Sequence, residues 1–235
     1  MRPVVITPVK NSLATLKQTI KAIADSNVAL DYYIFNDFSD QETEEYLEKN
    51  QQLFNYQLVN LRDHVDTPSP NYRTVLIMAQ NLALKANSDL IIVESDVIVE
   101  PNTIKELLKH TGTQNNVGMV AAITQDEKGQ INFPYNHISN AEPDIIHTKR
   151  SLSFCCTLLT NQYLQAIDLK QLQQDKDWYD VHISRQSRSL GFENLLIKSL
   201  PVLHLPHSSR PWKMEKYRNP IKYYFKKFFL KRDRI

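Results

Sequence analysis

The stretch "LIIVESDVIVEP", Leu90 to Pro101, is an apolar run with a close pair of carboxylates set into its middle, Glu94 and Asp96. Charged side chains are costly to bury unless they are paired, hydrogen-bonded or bound to something. In an extended segment residues two apart share a face, so Glu94 and Asp96 converge; a helix would spread them by about 200°. Convergent carboxylates repel unless a cation or a shared proton lies between them. Hard oxygen donors suit Mg²⁺ or Mn²⁺, and Mg²⁺ takes only one or two protein carboxylates, leaving its other positions to phosphates and water. The plainer reading has Asp96 capping the next turn and Glu94 solvated at a strand end. An E-x-D taken alone does not choose between the two.

Outward from this run, the first half of the chain alternates strand and helix signals. "PVVITPV" (3–9), "LDYYIFND" (30–37), "NYQLVNL" (55–61) and "DLIIVESDV" (89–97) read as strands. Between them "LATLKQTIKAIA" (13–24), "DQETEEYLEKN" (40–50) and "YRTVLIMAQNLALKA" (72–86) read as helices, and "EPNTIKELLKH" (100–110) follows with Pro101 placed for a first helical turn. Strands separated by such helices predict βαβ units and a mostly parallel sheet. From Val117 the pattern changes: "VGMVAAIT", "INFPY" and "LSFCCTLLT" suggest strands with irregular connections. "DWYDVHISRQSRSLG" (177–191) then reads as a helix closed by Gly191, and "NLLIKSLPVLHL" (194–205) as a last strand. One α/β domain is the expectation, with no repeat and no linker.

The 235 residues carry a formal net charge of +2, too small a balance to point to nucleic acid, and no run of about 18 apolar residues is present for a spanning helix. The opening "MRPVVITPVKNS" holds no long apolar stretch, so no signal peptide is expected in it, and the only cysteines, Cys155 and Cys156, are adjacent. Neighbouring cysteines rarely bridge, so a reducing, cytoplasmic setting is expected, with both thiols as small core residues. The positive charge gathers in "RNPIKYYFKKFFLKRDRI" (218–235), where lysines flank an aromatic side. This segment, within 212–235, reads either as a peripheral helix on an anionic membrane surface, at the inner face of the cell membrane, or as a helix docked on the protein's own core.

In open α/β sheets ligands bind outside the carboxyl ends of the strands. There the chain shows "NDFSDQET" (36–43) after the second strand, and Glu94-Ser95-Asp96 after the fourth. Taken in order, these motifs resemble the GT-A nucleotide-sugar glycosyltransferases, family 2 in particular. The opening "VVITPVKNSLATLKQTIKAI" is similar to the family's first strand and helix. "NDFSDQET" stands for its acidic turn, "AQNLALKANSDLIIV" for its Asn-bearing helix and central strand, and Glu94-Ser95-Asp96 for its D-x-D. "YDVHISRQSRSLG" matches its acidic pair and helix, and "LLIKSLPVLH" its strand ending in His. The resemblance runs to about Pro211, so residues 1–211 are expected to form a GT-A domain.

The resemblance implies roles. Thr7, Pro8, Asp37 and Ser95 would contact the nucleotide, Asp37 through base or ribose. Glu94, Asp96 and His204 would hold a Mn²⁺ or Mg²⁺ ion at the diphosphate. Asp180 would be the catalytic base of an inverting transfer. The implied donor is a nucleotide sugar, a UDP-sugar first, and the implied acceptor a glycan or a lipid-linked glycan in polysaccharide assembly. Each residue also has a plainer reading: Asp37 as a turn former, Asp180 as first-turn charge on a helix, His204 as a satisfied half-buried histidine with His207 a lesser substitute. Arg73 and Arg210 are candidates for phosphate pairing. Asn36, Phe38, Glu94 and Tyr179 depart from the family's Asp, Gly, Asp and Glu. A non-catalytic sugar-nucleotide or glycan-binding module of the same fold is therefore one alternative. A nucleotidyltransferase is the other, although "TPVKNSLATLK" has none of the glycines its phosphate loop would need.

Overall fold

The computed structural model describes residues 2–67, 69–112, 116–139, 141–173 and 178–205. The segment 212–235, with His207 and Arg210, lies outside the described residues, so the expectations placed on them rest on sequence alone.

β1 (Val4–Val9), β2 (Asp31–Asn36), β3 (Tyr56–Asn60) and β4 (Leu90–Val93) form a parallel unit in the order β3-β2-β1-β4. The connecting helices are α1 (Leu13–Ala24), α2 (Gln41–Phe54) and α3 (Tyr72–Lys85). Their apolar spacing does the docking: α1 buries Leu16, Ile20 and Ile23, and α3 buries Val75, Leu76, Ala79 and Ala83. Strand alternation divides the core into two layers. Val4, Ile6, Leu90 and Ile92 face the layer holding α3, while Val5, Val9, Ile91 and Val93 face the layer holding α1.

Beyond β4 come β5 (Val97–Ile98), α4 (Thr103–Leu108), β6 (Val117–Gln125), β7 (Ile145–His147), β8 (Cys156–Leu159), α5 (Asn161–Ala166), α6 (Tyr179–Ser189) and β9 (Glu193–His204). The sheet continues β4-β8-β6-β9-β5, with β8 antiparallel to both neighbours, β6 and β9 parallel to each other, and β7 on the first half of β9. All six strands β1, β2, β3, β4, β6 and β9 point the same way, as the mostly parallel expectation required. Their carboxyl ends make one edge, and that edge carries the site.

Three local readings are corrected. "INFPY" is not a strand: Ile131 makes one isolated bridge to Gln125, and the chain then turns through Phe133-Pro134. Proline supplies no N–H for a ladder, so the run has too few donors to propagate. Pro101 sits before Asn102, the residue that caps α4, and outside the helix. Glu94 and Asp96 lie just past the end of β4 in a tight turn, closed by Val97 N–H donating to Glu94 O at 3.1 Å.

Asn36 has a structural reason for departing from Asp. Its amide donates to Glu44 Oε1 (3.2 Å) and Asn60 Oδ1 (2.9 Å), while its oxygen accepts from Ser39 N–H (3.1 Å). A carboxylate there would face two acceptors and have nothing to donate. Asn36→Asp is expected to cost roughly 1–3 kcal/mol, the range for a buried group left unsatisfied, read as a lower midpoint in urea unfolding. An unchanged midpoint would mean that these bonds do not hold the turn. Phe38 adopts φ 55°, the left-handed conformation for which the family's Gly is suited, so the departure keeps the backbone shape.

Candidate functional site

The site is assembled where β4 and β9 end and β8 begins. The β4–β8 ladder pairs Val93 with Cys156 and runs one step further, with Glu94 N–H donating to Cys155 O at 3.0 Å. Glu94 and Cys155 are thus cross-strand neighbours at the sheet's edge, and Cys155 Sγ lies 3.5 Å from Glu94 Oε2. β5 pairs Val97 with His204, and Leu205 N–H donates to Asp96 O at 2.9 Å, which fixes His204 beside Asp96. His204 Nε2 stands 3.4 Å from Asp96 Oδ2, and Asp96 is only 1% exposed.

The other nitrogen of His204 settles its tautomer. Nδ1 lies 2.8 Å from Phe133 O, and a carbonyl can only accept, so Nδ1 carries a proton. In the neutral ring this leaves the Nε2 lone pair facing Asp96, the second-partner arrangement common to metal-binding histidines. Burial works to lower the His204 pKa; the Asp96 hydrogen bond and the Asp96 and Glu94 charges outweigh it, and the net direction is up. Burial, then the Glu94 and Asp96 charges, pushes the Cys155 thiol well above its ordinary range.

One donor atom each from Glu94, Cys155 and His204 lie within 4.8 Å of one another. This set, with the Asp96 carboxylate on His204, fits a divalent cation: negative charge is concentrated at a buried place, and a ring nitrogen is aimed at it. Glu94, Asp96 and His204 are therefore brought together. Cys155 joins them, and sequence reasoning left it among the core residues.

Asp180 reaches the same region through α6. Ser184, one turn along that helix, accepts from Leu152 N–H at 2.9 Å, so α6 is tied to the loop that leads into Cys155. Tyr135 is buried near both: the charges of Cys155 and Asp180 add to burial in raising its pKa, and its hydroxyl accepts from Ser153 N–H at 3.0 Å. Asp180 Oδ1 accepts from Val181 N–H at 2.8 Å.

Asp37 lies at the carboxyl end of β2, two strands from β4 in the same sheet. Both its oxygens accept from Asn71, Oδ2 from the backbone N–H (2.9 Å) and Oδ1 from the side-chain amide (2.8 Å). Asn71 precedes Tyr72, whose ring stacks on Tyr179 with centroids 6.3 Å apart, and Tyr72 also meets Phe154 at 6.3 Å. The residue in place of the family's Glu is thus part of an aromatic stack joining the Asp37 turn to the Asp180 helix. Thr7 is fully buried and its hydroxyl is 3.0 Å from Tyr32 Oη, while Pro8 follows it in β1 and Ser95 sits in the turn between Glu94 and Asp96. The Thr7 hydroxyl is thus engaged within the core, with Tyr32. Arg73 is employed elsewhere, donating from Nε to Leu172 O at 2.7 Å and also to Lys170 O.

Among the described residues no helix is long and apolar enough to cross a membrane. No curated protein matches the chain. Solved structures share its fold at low identity. A mannosyltransferase of Pyrobaculum calidifontis in complex with GDP-Man and Mn²⁺ superposes with TM-score 0.66 at 14% identity, over 96% of this chain and 64% of its own. GalNAc-T7 with UDP, GalNAc and Mn²⁺ gives 0.64 at 12%, over 88% of this chain and 44% of its own. TarS 1-349 of S. aureus in complex with UDP gives 0.64 at 12%, over 92% and 64%. The chain thus spans under two thirds of the length of each. The Glycosyl transferase family 2 model matches residues 4–196, most of the chain, and takes in β1, the acidic turn, Glu94-Ser95-Asp96 and Asp180. With a GT-A sheet and this match over most of its length, the chain belongs to glycosyl transferase family 2.

Proposed function

We propose that the protein transfers a sugar from a nucleoside-diphosphate donor, a UDP-sugar first, to a hydroxyl of a glycan or lipid-linked acceptor, inverting the anomeric centre. The observation that carries this is the convergence of Glu94, Asp96 and His204 at the strand ends, with the Asp180 helix fastened to the loop beside them. A Mn²⁺ or Mg²⁺ ion held by Glu94, Asp96 and His204 would stabilise the negative charge of the departing diphosphate. The remaining work belongs to the chain's own groups. Asp37, its carboxylate fixed by Asn71, faces the nucleoside, with Pro8 and Ser95 as further contacts. Thr7 supports this region from behind, through Tyr32. The acceptor oxygen attacks the anomeric carbon as the bond to the diphosphate oxygen breaks, and its proton passes to the Asp180 carboxylate. One displacement with one base needs no enzyme nucleophile. Attachment to the inner face of a membrane through 212–235 is a proposal of the sequence alone.

The test is calorimetric titration of UDP-sugars with and without Mn²⁺, followed by a donor-hydrolysis and transfer assay. Binding should weaken at least tenfold in EDTA and in Asp96→Ala, the scale expected when support of a metal site is lost. Binding that ignores both would remove the cation from the reading. Metal-dependent binding without hydrolysis or transfer to any glycan acceptor would favour the non-catalytic module.

A further inference from the structure

Cys155 is more than a packed core residue. It is 2% exposed, stands opposite Glu94 in the β4–β8 ladder, and puts Sγ 3.5 Å from the Glu94 carboxylate, with Ser153 Oγ at 3.3 Å on its other side. Its sulfur, a Glu94 oxygen and a His204 nitrogen lie within 4.8 Å of one another. These are three different donor types: a carboxylate oxygen, an imidazole nitrogen and a sulfur. Mg²⁺ wants oxygen donors in near-octahedral array, whereas thiolate with imidazole suits Zn²⁺ and Co²⁺.

We propose that Cys155 is a ligand of the cation site and gives it a preference for borderline-soft divalent ions, Zn²⁺ and Co²⁺, over Mg²⁺. The proposal rests on the cation reading made above and departs from it in the ion, replacing Mg²⁺ by a softer one. Coordination replaces the S–H bond by a sulfur–metal bond, and the thiol proton leaves to solvent; no oxidation or reduction is involved. The ladder positions both partners by backbone bonds, so the pair is held in register before any ion arrives. His204 is held likewise, by β5 pairing and by Phe133 O. Cys156, its neighbour, is a buried member of the hydrophobic layer and supplies the internal control.

The experiment is titration of Co²⁺ into the purified chain in the presence of UDP, followed by absorption. Ligand-field bands in the visible report binding, and a sulfur-to-cobalt charge-transfer band in the near ultraviolet reports the thiolate. Wild type and Cys156→Ser should show both. Cys155→Ser, nearly isosteric, should keep the visible bands, lose the charge-transfer band and bind Co²⁺ about tenfold or more weakly. Its ratio of Zn²⁺ to Mg²⁺ affinity, from competition against Co²⁺, should fall by a similar factor. A charge-transfer band that survives in Cys155→Ser, or visible bands without any charge-transfer band in wild type, overturns the Cys155 assignment and leaves the cation site standing. Failure of both Co²⁺ and Mn²⁺ to bind overturns the cation site and Cys155's role with it.

Discussion

Asp180→Asn is expected to cut transfer by about 10²–10⁴-fold, the usual contribution of a positioned general base, while leaving donor affinity and thermal stability near wild type. The substitution is chosen for what it preserves. Asp180 sits in the first turn of α6, where its Oδ1 accepts from Val181 N–H. An amide oxygen can accept that bond in the same place, so this contact at the helix start survives while proton acceptance is lost. The plainer role, first-turn charge favourable to the helix dipole, is worth about 0.3–1 kcal/mol and acts on stability. The two readings therefore separate cleanly in measurement. Turnover with a proven acceptor, donor affinity by calorimetry and the unfolding midpoint are read on the same preparation. Undiminished turnover would remove Asp180 from the base position; a lowered midpoint with proportionate loss of activity would mark a structural residue.

The second large effect is on stability. Gln80, on α3 and 4% exposed, donates to Leu164 O at 2.9 Å and to Ile167 O at 2.8 Å, and accepts from Leu169 N–H at 3.1 Å. The end of α5 and the segment after it have no strand or long helix to absorb their backbone groups, and one amide from another element satisfies three of them. Gln80→Met keeps length and approximate volume but strands two carbonyls and one N–H. At the low end of about 1–3 kcal/mol for each buried unsatisfied group, the loss is roughly 3 kcal/mol. For a chain of this size that is a fall in Tm of about 6–12 °C. Urea unfolding measures it, and a change within about 0.5 kcal/mol would show that the segment holds without the clamp. Arg73, two turns earlier on α3, fastens the next stretch through Leu172 O.

Much of the fold was legible because long elements carry many coherent signals. α1 and α3 each repeat an apolar face over three turns, and β1, β2 and β4 are β-branched or aromatic runs of ordinary length. β5 and β7 were not, since two and three residues hold no period, and their pairing depends wholly on β9. The convergence of Glu94 and Asp96 was expected from strand alternation. The turn after β4 and the pairing of β5 with β9 produce it instead. Of the candidate site, Glu94, Asp96, His204 and Asp180 were named through the order of motifs, and the structure sets them in one region. Cys155 was missed because burial and adjacency to Cys156 are the marks of a core thiol, and only a ladder register sets it opposite Glu94. Asn71 and Tyr135 were missed for a similar reason: their partners lie 34 and 18 residues away in sequence.

β9 is two strands in series. Its first half lies on β7 and its last residues on β5, and against β6 the register jumps between Ile197 and Pro201 while β6 advances by one residue. Residues 198–200 thus act as an expansion joint. Lengthening or trimming the loops that flank β7 is expected to shift only the upstream half, with the slack taken up before the chain reaches His204. Variation on the outer flank of the sheet is mechanically insulated from the imidazole. That lets one scaffold accept new neighbours there while the angle of a single ring stays constant.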